Sequence, residues 1–366
     1  MEIRELKVPG YEEVYRCQDR RTGLLAFIAV HDTTLGPALG GCRMWHFSRE
    51  DDAMTDVLRL AKGMSYKSAV AKTGLGGGKA VIVGDPKTQK TPELFKAMGR
   101  FIHTLGGRYL TAEDVGSNVA DMHFIRQETP YVAGLSRDKG GSGDPSPFTA
   151  LGCFYGIKAC VEEQLGKKDL AGLTVAIQGL GNVGYDLAKK LKAAGCKLVV
   201  TDVNEQKLQQ AAKELGAKVV ATGDIYGVEC DVFTPCALGA IVNDRTIPQL
   251  KCKIIAGGAN NQLAEDRHGV ALLERGILYA PDFVINAGGI INVSVEFAPG
   301  GYDEKASTRR VENIYNALKD IIRTSREQQI PTSEAAVVLA EKILSDARTA
   351  KGLPARKVWE HQGVER

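Results

Sequence analysis

A glycine-rich turn between an apolar segment and an amphipathic helix constrains this chain more than any other feature. Residues 173–178 are predicted as a strand, and residues 182–194 form a helical pattern that Gly195 ends. Asp202 follows at the end of the next predicted strand. The turn reads G-x-G-x-x-G, and its residues are Gly179, Leu180, Gly181, Asn182, Val183 and Gly184. This context predicts a parallel α/β sheet with a dinucleotide site.

Each glycine of the turn has a separate predicted role. The first allows a tight turn, the second lets the backbone approach a pyrophosphate, and the third lets the helix pack closely on the strand. Asp202 is expected to accept hydrogen bonds from the adenosine ribose hydroxyls, and its charge repels a 2′-phosphate. The predicted cofactor is therefore NAD rather than NADP. A structural glycine turn in a domain that binds nothing is the alternative.

A glycine-, serine- and proline-rich segment at residues 139–147 predicts the main domain boundary. The length of 366 residues fits two domains. We predict an α/β fold with an N-terminal α/β domain at residues 1–145, completed by about residues 335–366. Residues 146–334 are predicted to form a Rossmann-type, doubly wound NAD-binding domain, with a cleft between the two domains.

Local patterns predict further elements on either side of this boundary. Ser48, with Asp51 three residues later, resembles a capping box that opens a helix running towards Gly63. Thr91 and Pro92 predict the start of another helix. Predicted strands of the first domain span residues 24–30, 80–83 and 108–111, and predicted C-terminal helices span residues 307–327 and 333–350.

Composition excludes several classes of protein. The 47 Lys and Arg against 44 Asp and Glu leave a net charge of +3, so no nucleic-acid partner is expected. No apolar run approaches the ~18 residues that span a bilayer, and the N-terminus lacks a signal-peptide pattern. We therefore expect a cytoplasmic protein without a membrane partner. The 8 Cys form no C-x-x-C pair and the 6 His no H-E-x-x-H motif, so no metal is expected.

A second glycine run, residues 74–79, superficially looks like a phosphate-binding P-loop. Thr73 occupies the position that the P-loop motif gives to its first glycine, and Ala80 stands where the motif requires Ser or Thr. The run is instead predicted to form a backbone surface that a small substrate can approach closely, beside the ammonium of Lys79.

Five segments together resemble the glutamate/leucine/phenylalanine/valine dehydrogenase family. They are residues 31–41, 62–86, 111–116, 179–184 and 279–289, and the resemblance extends in order over nearly the whole chain. It implies that the N-terminal domain, residues 1–145, is a substrate-binding and oligomerisation domain. The resemblance implies NAD-dependent, reversible oxidative deamination of an L-amino acid to a 2-oxo acid and ammonia. It also implies a homo-oligomer, commonly an octamer among the branched-chain enzymes.

The resemblance gives roles to residues that would otherwise be read as surface charges. Lys67 matches the lysine that binds the substrate carboxylate, and Lys79 matches the catalytic lysine that activates water. Asp114 matches the carboxylate that exchanges protons with the substrate nitrogen. Asn261 falls where the family places an amide near the nicotinamide, and Thr149 falls in the matching interdomain segment. A structural role is the alternative for these last two residues.

The resemblance also implies an apolar pocket for the substrate side chain. Members that act on glutamate carry a lysine at the position of Leu39, which argues against an acidic substrate. Branched-chain L-amino acids, leucine with isoleucine and valine, are therefore expected. A phenylalanine dehydrogenase, favoured by Asn260, and a catalytically silent NAD-binding protein are the alternatives. The implied substrate-binding residues beside Lys67 are Leu39, Gly40, Gly41, Gly77, Gly78, Ala112, Ile290 and Val293, and each apolar one has an ordinary core position as its alternative.

Overall fold

The glycine-rich segment contains the first point at which the chain passes from one folding unit to another. In the computed structural model, which describes residues 1–354, unit 1 contains Met1–Gly143, Val293–Tyr302 and residues 340–354. Unit 2 contains Asp144–Asn292 and Asp303–Leu339. Residues 335–339 thus belong to unit 2, and the last part of the predicted C-terminal return, residues 355–366, lies outside the described residues.

Unit 1 is built on a mixed six-stranded sheet. Its strands are β1 (Glu2–Glu5), β2 (Glu13–Asp19), β3 (Leu24–Asp32), β4 (Ala38–Trp45), β5 (Gly76–Val83) and β6 (Tyr109–Glu113). Their order is β1-β2-β3-β5-β4-β6, in which β4 runs parallel to both β5 and β6 and the other neighbours are antiparallel. Its helices are α1 (Glu50–Val70), α2 (Pro92–Thr104) and α3 (Val119–Arg126).

Helix α1 packs on this sheet through a stripe of small residues. The buried side chains recur every three or four positions, which places them on one face of the helix. They are Ala53, Val57, Ala61, Ser65 and Ser68. Because none is large, the helix lies close to the backbone of β5.

Two features of α1 differ from the sequence-based prediction. Arg49 is the N-cap and makes no side-chain cap hydrogen bond, so the predicted capping box at Ser48 was wrong. The predicted end near Gly63 was also wrong, because the helix continues to Val70. Burial of the small-residue stripe outweighs the modest helix penalty of one glycine. The extra turns bring Lys67 into the last turn of the helix.

Strand β5 begins four residues before the predicted start at Ala80, and β4 was not predicted. Both strands contain glycine runs, which sequence rules read as loops. The runs are strands here because neighbouring backbones fill the space that side chains would need. A Cβ at Gly40 would lie 1.8 Å from the Gly78 carbonyl oxygen, and one at Gly78 would lie 2.9 Å from the Tyr109 ring.

Unit 2 carries the predicted doubly wound fold. Its strands β7 (Thr174–Gln178), β8 (Lys197–Thr201), β9 (Lys218–Val219), β10 (Val232–Pro235), β11 (Ile254–Ile255) and β12 (Leu278–Tyr279) form one sheet. The order is β12-β11-β10-β7-β8-β9 and all neighbours are parallel. The chain order therefore reverses between β7 and β10, which is where such sheets bind ligands. The remaining helices are α4 (Ser146–Leu165), α5 (Asn182–Ala193), α6 (Glu205–Leu215), α7 (Arg267–Glu274), α8 (Asp282–Ile285), α9 (Gly288–Ser294), α10 (Glu304–Glu312), α11 (Ile314–Gln328) and α12 (Thr332–Ala350).

Three predicted elements of the second half are confirmed within one residue at each end, namely the strand at residues 173–178 and the helices at residues 182–194 and 333–350. The predicted helix at residues 307–327 is an exception, because the structure has α10 and α11 with a break at Asn313. Helix α4, which contains Thr149, was not predicted. Its start, Ser146 and Pro147, coincides with the glycine- and proline-rich boundary segment and was read as loop.

Two glycine-to-alanine substitutions test how closely α1 packs on β5. A Cβ at Gly77 would lie 2.0 Å from the Ser65 backbone nitrogen, whereas nothing lies within 4 Å of a Cβ at Gly63. We expect Gly77→Ala to lower the free energy of unfolding by about 1–3 kcal/mol, and Gly63→Ala to raise it by about 0.5–1 kcal/mol. Urea denaturation at one fixed protein concentration measures both. Equal effects of the two substitutions would contradict the close contact.

Candidate active site

Lys79 and Asp114 form an ion pair at the centre of unit 1. The Lys79 Nζ lies 2.5 Å from the Asp114 Oδ2, and the side chains are 7% and 20% exposed. Arg43 Nε lies 3.3 Å from the same oxygen. Burial opposes ionisation of Asp114, but the two cations outweigh it and hold its pKa below the ordinary value. The carboxylate and the nearly buried Lys79 therefore stabilise each other as ions.

The backbone of β4 admits Asp114 to this position. A Cβ at Gly41 would lie 2.7 Å from the Asp114 Cβ, so a larger residue there would displace the carboxylate. Ser117 then fixes the turn after β6, because its Oγ accepts a hydrogen bond from the Asp114 N–H at 2.9 Å and donates one to the Cys42 carbonyl at 2.7 Å. Gly116 has φ +83°, which few other residues adopt.

Lys67 and Lys79 project from elements that touch directly. The backbone of Ser65 on α1 lies against Gly77 on β5, and each lysine is two residues beyond that contact. The Ser65 hydroxyl also lies 2.8 Å from the Nδ1 of buried His31 on β3. This contact places the two predicted lysines on neighbouring elements in the same unit.

The glycine run has a packing role that the sequence did not indicate. The Cβ positions of Gly76, Gly77 and Gly78 all face protein atoms, whereas the approach of a substrate to their backbone stays a prediction. The first would lie 2.1 Å from the Asp32 carbonyl oxygen and the second would overlap Ser65. Gly77 is thus needed for β5 and α1 to meet, and Gly76 and Gly78 let β5 pack against its other neighbours. Together these contacts hold Lys79.

The predicted pocket residues divide between the units. Leu39 on β4 is 1% exposed, Ala112 on β6 is half-buried, and Val293 on α9 is 8% exposed; all three belong to unit 1. Ile290 is half-buried and belongs to unit 2. Within unit 1, Gly41 on β4 pairs with Ala112 on β6. Ala112 precedes Asp114 by two residues in the chain.

The three fingerprint glycines of unit 2 have the geometry that dinucleotide binding requires. Gly179 has φ +95°, and a Cβ at Gly184 would lie 2.1 Å from the Gly179 carbonyl oxygen. Nothing lies within 4 Å of a Cβ at Gly181. Gly181 is also the N-cap of α5, and no side chain in the described part of the chain caps that helix. Open space beside an uncapped helix N-terminus fits a pyrophosphate.

Asp202 lies directly beside this turn. Its Oδ2 accepts a hydrogen bond from the Leu180 N–H at 2.5 Å, and its Oδ1 accepts one from Asn204 N–H at 2.8 Å. The carboxylate is thus fixed at the end of β8, where a ribose is expected. The Leu180 N–H is thus hydrogen-bonded to Asp202 in this structure. Asn182 and Val183 lie in the first turn of α5.

The other two predicted cofactor residues lie on segments that contact this turn or one another. Gly258 contacts Val183 of the fingerprint and Cys153 of α4, because a Cβ there would lie 2.9 Å and 3.4 Å from their side chains. Thr149 is one turn before Cys153 on α4. Asn261 follows Gly258 in the same loop and adopts φ +51°, which is uncommon for a non-glycine residue.

A cluster in unit 2 has ligand atoms close enough for a metal, although the sequence predicted no metal site. Asp244, Glu265 and His268 offer atoms within 4.8 Å of one another. The Glu265 N–H donates to His268 Nδ1 at 3.0 Å, so Nε2 carries the proton beside Asp244. Arg267 pairs with Asp244 and Glu265 at 2.5 and 2.8 Å. Because these groups already bond to one another, no metal is assigned here.

Comparison with known proteins agrees with this arrangement. Residues 12–131 match the family domain described as Glu/Leu/Phe/Val dehydrogenase, dimerisation domain. Residues 140–204 and 197–352 match the domain described as Glutamate/Leucine/Phenylalanine/Valine dehydrogenase. The chain therefore belongs to the glutamate/leucine/phenylalanine/valine dehydrogenase family, as the sequence motifs predicted. It is an amino-acid dehydrogenase, an oxidoreductase that acts on the CH–NH2 group with a nicotinamide cofactor.

Individual relatives cover nearly the whole chain. A leucine dehydrogenase of Geobacillus stearothermophilus is 53% identical over 341 residues, which are 93% of this chain and 92% of the relative. A phenylalanine dehydrogenase of Bacillus thermotolerans is 48% identical over 92% of this chain and 89% of its own. The crystal structure of L-tryptophan dehydrogenase from Nostoc punctiforme matches with a TM-score of 0.85 and 44% identity, covering 93% of this chain and 97% of that one.

No helix in the described residues 1–354 is long and apolar enough to cross a membrane.

The sequence reasoning missed two residues that hold Asp114, namely Arg43 and Ser117. The signal for Arg43 was available, because Leu39, Gly41 and Arg43 alternate as one face of a strand. It was overlooked because no strand was predicted over residues 38–45.

Two substitutions in the fingerprint separate cofactor binding from packing. Gly181→Ala fills open space at the helix N-terminus, so we expect a dissociation constant for NADH raised at least about tenfold with an unchanged melting temperature. Gly184→Ala overlaps the Gly179 carbonyl, so it is expected to lower the melting temperature. Fluorescence titration and thermal denaturation measure the two effects. Unchanged NADH affinity in a folded Gly181→Ala protein would contradict the assigned site.

Proposed function

We propose that this protein is an NAD-dependent dehydrogenase of branched-chain L-amino acids, with leucine as its main substrate and isoleucine and valine as further ones. The observation that carries the catalytic part of the proposal is the buried Lys79–Asp114 ion pair beside the helix that bears Lys67. Two ammonium groups and one carboxylate match the charges that an amino acid presents during deamination. The proposed products are a 2-oxo acid and ammonia.

Each charged residue has one proposed task. Lys67 binds the substrate α-carboxylate as a compact cation. Lys79 first gives its own proton to Asp114 and, as the amine so formed, accepts a proton from the water that attacks the imine carbon of the oxidised substrate. Asp114 delivers its proton to the substrate nitrogen, and its contact with Lys79 then lets the proton from water pass to the carboxylate. Ammonia then leaves while Lys79 accepts the proton of the new hydroxyl group, and the carbonyl of the 2-oxo acid forms.

The proposed cofactor site is the fingerprint turn with Asp202, Thr149 and Asn261. The uncapped start of α5 and the open space at Gly181 support binding of a pyrophosphate there. When bound, the nicotinamide accepts the α-hydrogen of the substrate as a hydride. Asp202 supports NAD over NADP, because a fixed carboxylate at the ribose position disfavours a phosphate.

The proposed substrate preference rests on uncharged positions. Leu39, Ala112, Ile290 and Val293 offer no charge to an acidic or basic side chain, and burying such a side chain without a partner is costly. The leucine dehydrogenase relatives at 51–53% identity support the same preference. Phenylalanine is the second candidate, because a phenylalanine dehydrogenase shares 48% identity and the sequence has Asn260 where such enzymes carry asparagine.

Assembly and location complete the proposal. The matched dimerisation domain at residues 12–131 supports a homo-oligomer, and we propose an octamer. All eight cysteines are free, and buried thiols dominate among them, as is usual for proteins of a reducing compartment. We therefore propose a cytoplasmic enzyme without nucleic-acid or membrane partners.

Initial rates of reductive amination test the activity. With ammonia and NADH, we expect the highest kcat/KM on 4-methyl-2-oxopentanoate, then 3-methyl-2-oxobutanoate, and lower values on phenylpyruvate and 2-oxoglutarate. Lys79→Ala is expected to lower kcat by about 10²–10⁴, whereas Lys342→Ala, at an exposed i,i+4 pair, is the control with unchanged rates. A preference for phenylpyruvate would favour the second candidate, and no turnover on any oxo acid would exclude both.

A cofactor comparison tests Asp202. We expect kcat/KM for NADH to exceed that for NADPH at least about tenfold. Asp202→Ala is expected to lower this NADH-to-NADPH ratio, because it removes the charge that repels the 2′-phosphate. Glu205→Ala, which removes an exposed carboxylate three residues away, is the matched control. An unchanged ratio in Asp202→Ala would show that another residue excludes the 2′-phosphate.

A further inference from the structure

We propose that Arg43, held by Asp56, is a positioning residue that sets the charge balance around Asp114 and thereby the pH range of the reaction. The inference deepens the proposed function and rests on its assignment of Asp114 to proton transfer. Neither Arg43 nor Asp56 lies in the sequence motifs that resemble the family.

The geometry of Arg43 is that of a bridge with two carboxylates. Its Nη1 donates a hydrogen bond to the Asp56 Oδ2 at 2.9 Å, and its Nε lies 3.3 Å from the Asp114 Oδ2. The Arg43 and Asp56 side chains are 22% and 25% exposed, so solvent screens the bridge only in part. One guanidinium therefore joins the helix that carries Lys67 to the carboxylate that pairs with Lys79.

The position of the bridge follows from the fold. Arg43 is two residues after Gly41 on β4, so its side chain leaves the same face of the strand on which Gly41 contacts Asp114. Asp56 and Lys67 are eleven residues apart on α1, which is about three helical turns, so they share one side of that helix. Asp56 thus holds Arg43 on the side of α1 from which Lys67 projects.

The bridge changes the electrostatic balance at one oxygen. Asp114 Oδ2 has two cations within 3.3 Å, Lys79 and Arg43, and the charge of Arg43 is itself partly balanced by Asp56. Removing Arg43 takes a positive charge from the site, which favours the protonated form of every group there. Removing the charge of Asp56 does the opposite.

Few other groups around Asp114 can account for a change of kcat near neutral pH. Burial raises the pKa of the Cys42 thiol on β4 to about 12 and the pKa of the Tyr109 phenol on β6 well above its usual value. Lys90 and Asp121 form their own ion pair at 2.5 Å. The packed elements also carry Glu113, next to Asp114 on β6, and the buried His31 on β3, which contacts Ser65 of α1. Lys79 on β5 and Lys67 on α1 are already used by the proposed reaction.

The test is the pH dependence of kcat for oxidative deamination at saturating leucine and NAD. Because kcat reports the enzyme–substrate complex, ionisation of free leucine does not enter. For Arg43→Gln we expect the acid-side midpoint to move to higher pH by about one unit. For Asp56→Asn, which keeps a hydrogen-bond acceptor for Arg43, we expect a move to lower pH by about half a unit. Arg43→Lys is expected to restore most of the wild-type profile.

Arg16→Gln is the matched control. Arg16 on β2 also pairs with a carboxylate of α1, at 2.8 Å from Glu50, but it does not touch Asp114. Its loss should leave the midpoint in place even if stability falls. Midpoints that stay fixed in both Arg43→Gln and Asp56→Asn, or that move in the same direction, would overturn the inference while the wild-type enzyme is active. A wild-type enzyme without turnover would instead overturn the proposed function, and the inference with it.

Discussion

The contact between α1 and β5 is the constraint on which the rest of unit 1 depends. The helix lies on a strand that has no side chains at three consecutive positions, Gly76, Gly77 and Gly78. The backbone of the helix therefore lies closer to the backbone of the strand than ordinary side-chain packing permits. Since Lys67 and Lys79 each follow the contact by two residues, the spacing of the two ammonium groups is set by backbone against backbone. Packing between flexible side chains would hold this spacing less firmly.

Close backbone packing explains the site, but it also creates an electrostatic cost. Lys79 is nearly buried, and a buried ammonium is unfavourable unless a partner lies close to it. Asp114 is that partner, and it reaches Lys79 only because Gly41 leaves room on β4. The ion pair and the glycines are therefore coupled: a side chain at position 41 would remove the partner of Lys79 as well as disturb the strand.

Much of unit 2 could be predicted from the sequence, whereas much of unit 1 could not. The strand–turn–helix around Gly179 carries local signals, and the observed α5 and β8 end within one residue of their predicted ends. In unit 1 the strands that hold the site contain glycine runs, which local rules read as loops. Ser48 resembled a cap by its spacing alone, and Gly63 resembled a helix end. Both signals were overruled by burial of small residues that are far apart in the sequence from the strand they contact.

The candidate site residues show the same division. Lys67, Lys79 and Asp114 could be named only from their resemblance to a family, because an isolated lysine or aspartate carries no local signal of burial. Arg43 and Ser117 belong to no motif that we recognised, and the structure is needed to see that both contact Asp114. The glycines of both units also need the structure for their interpretation. Gly181 faces open space, but Gly77 and Gly184 face backbone. The same residue type thus leaves space for the proposed cofactor in one place and serves the fold in the others, and only the filled or open space beside each Cβ distinguishes the two.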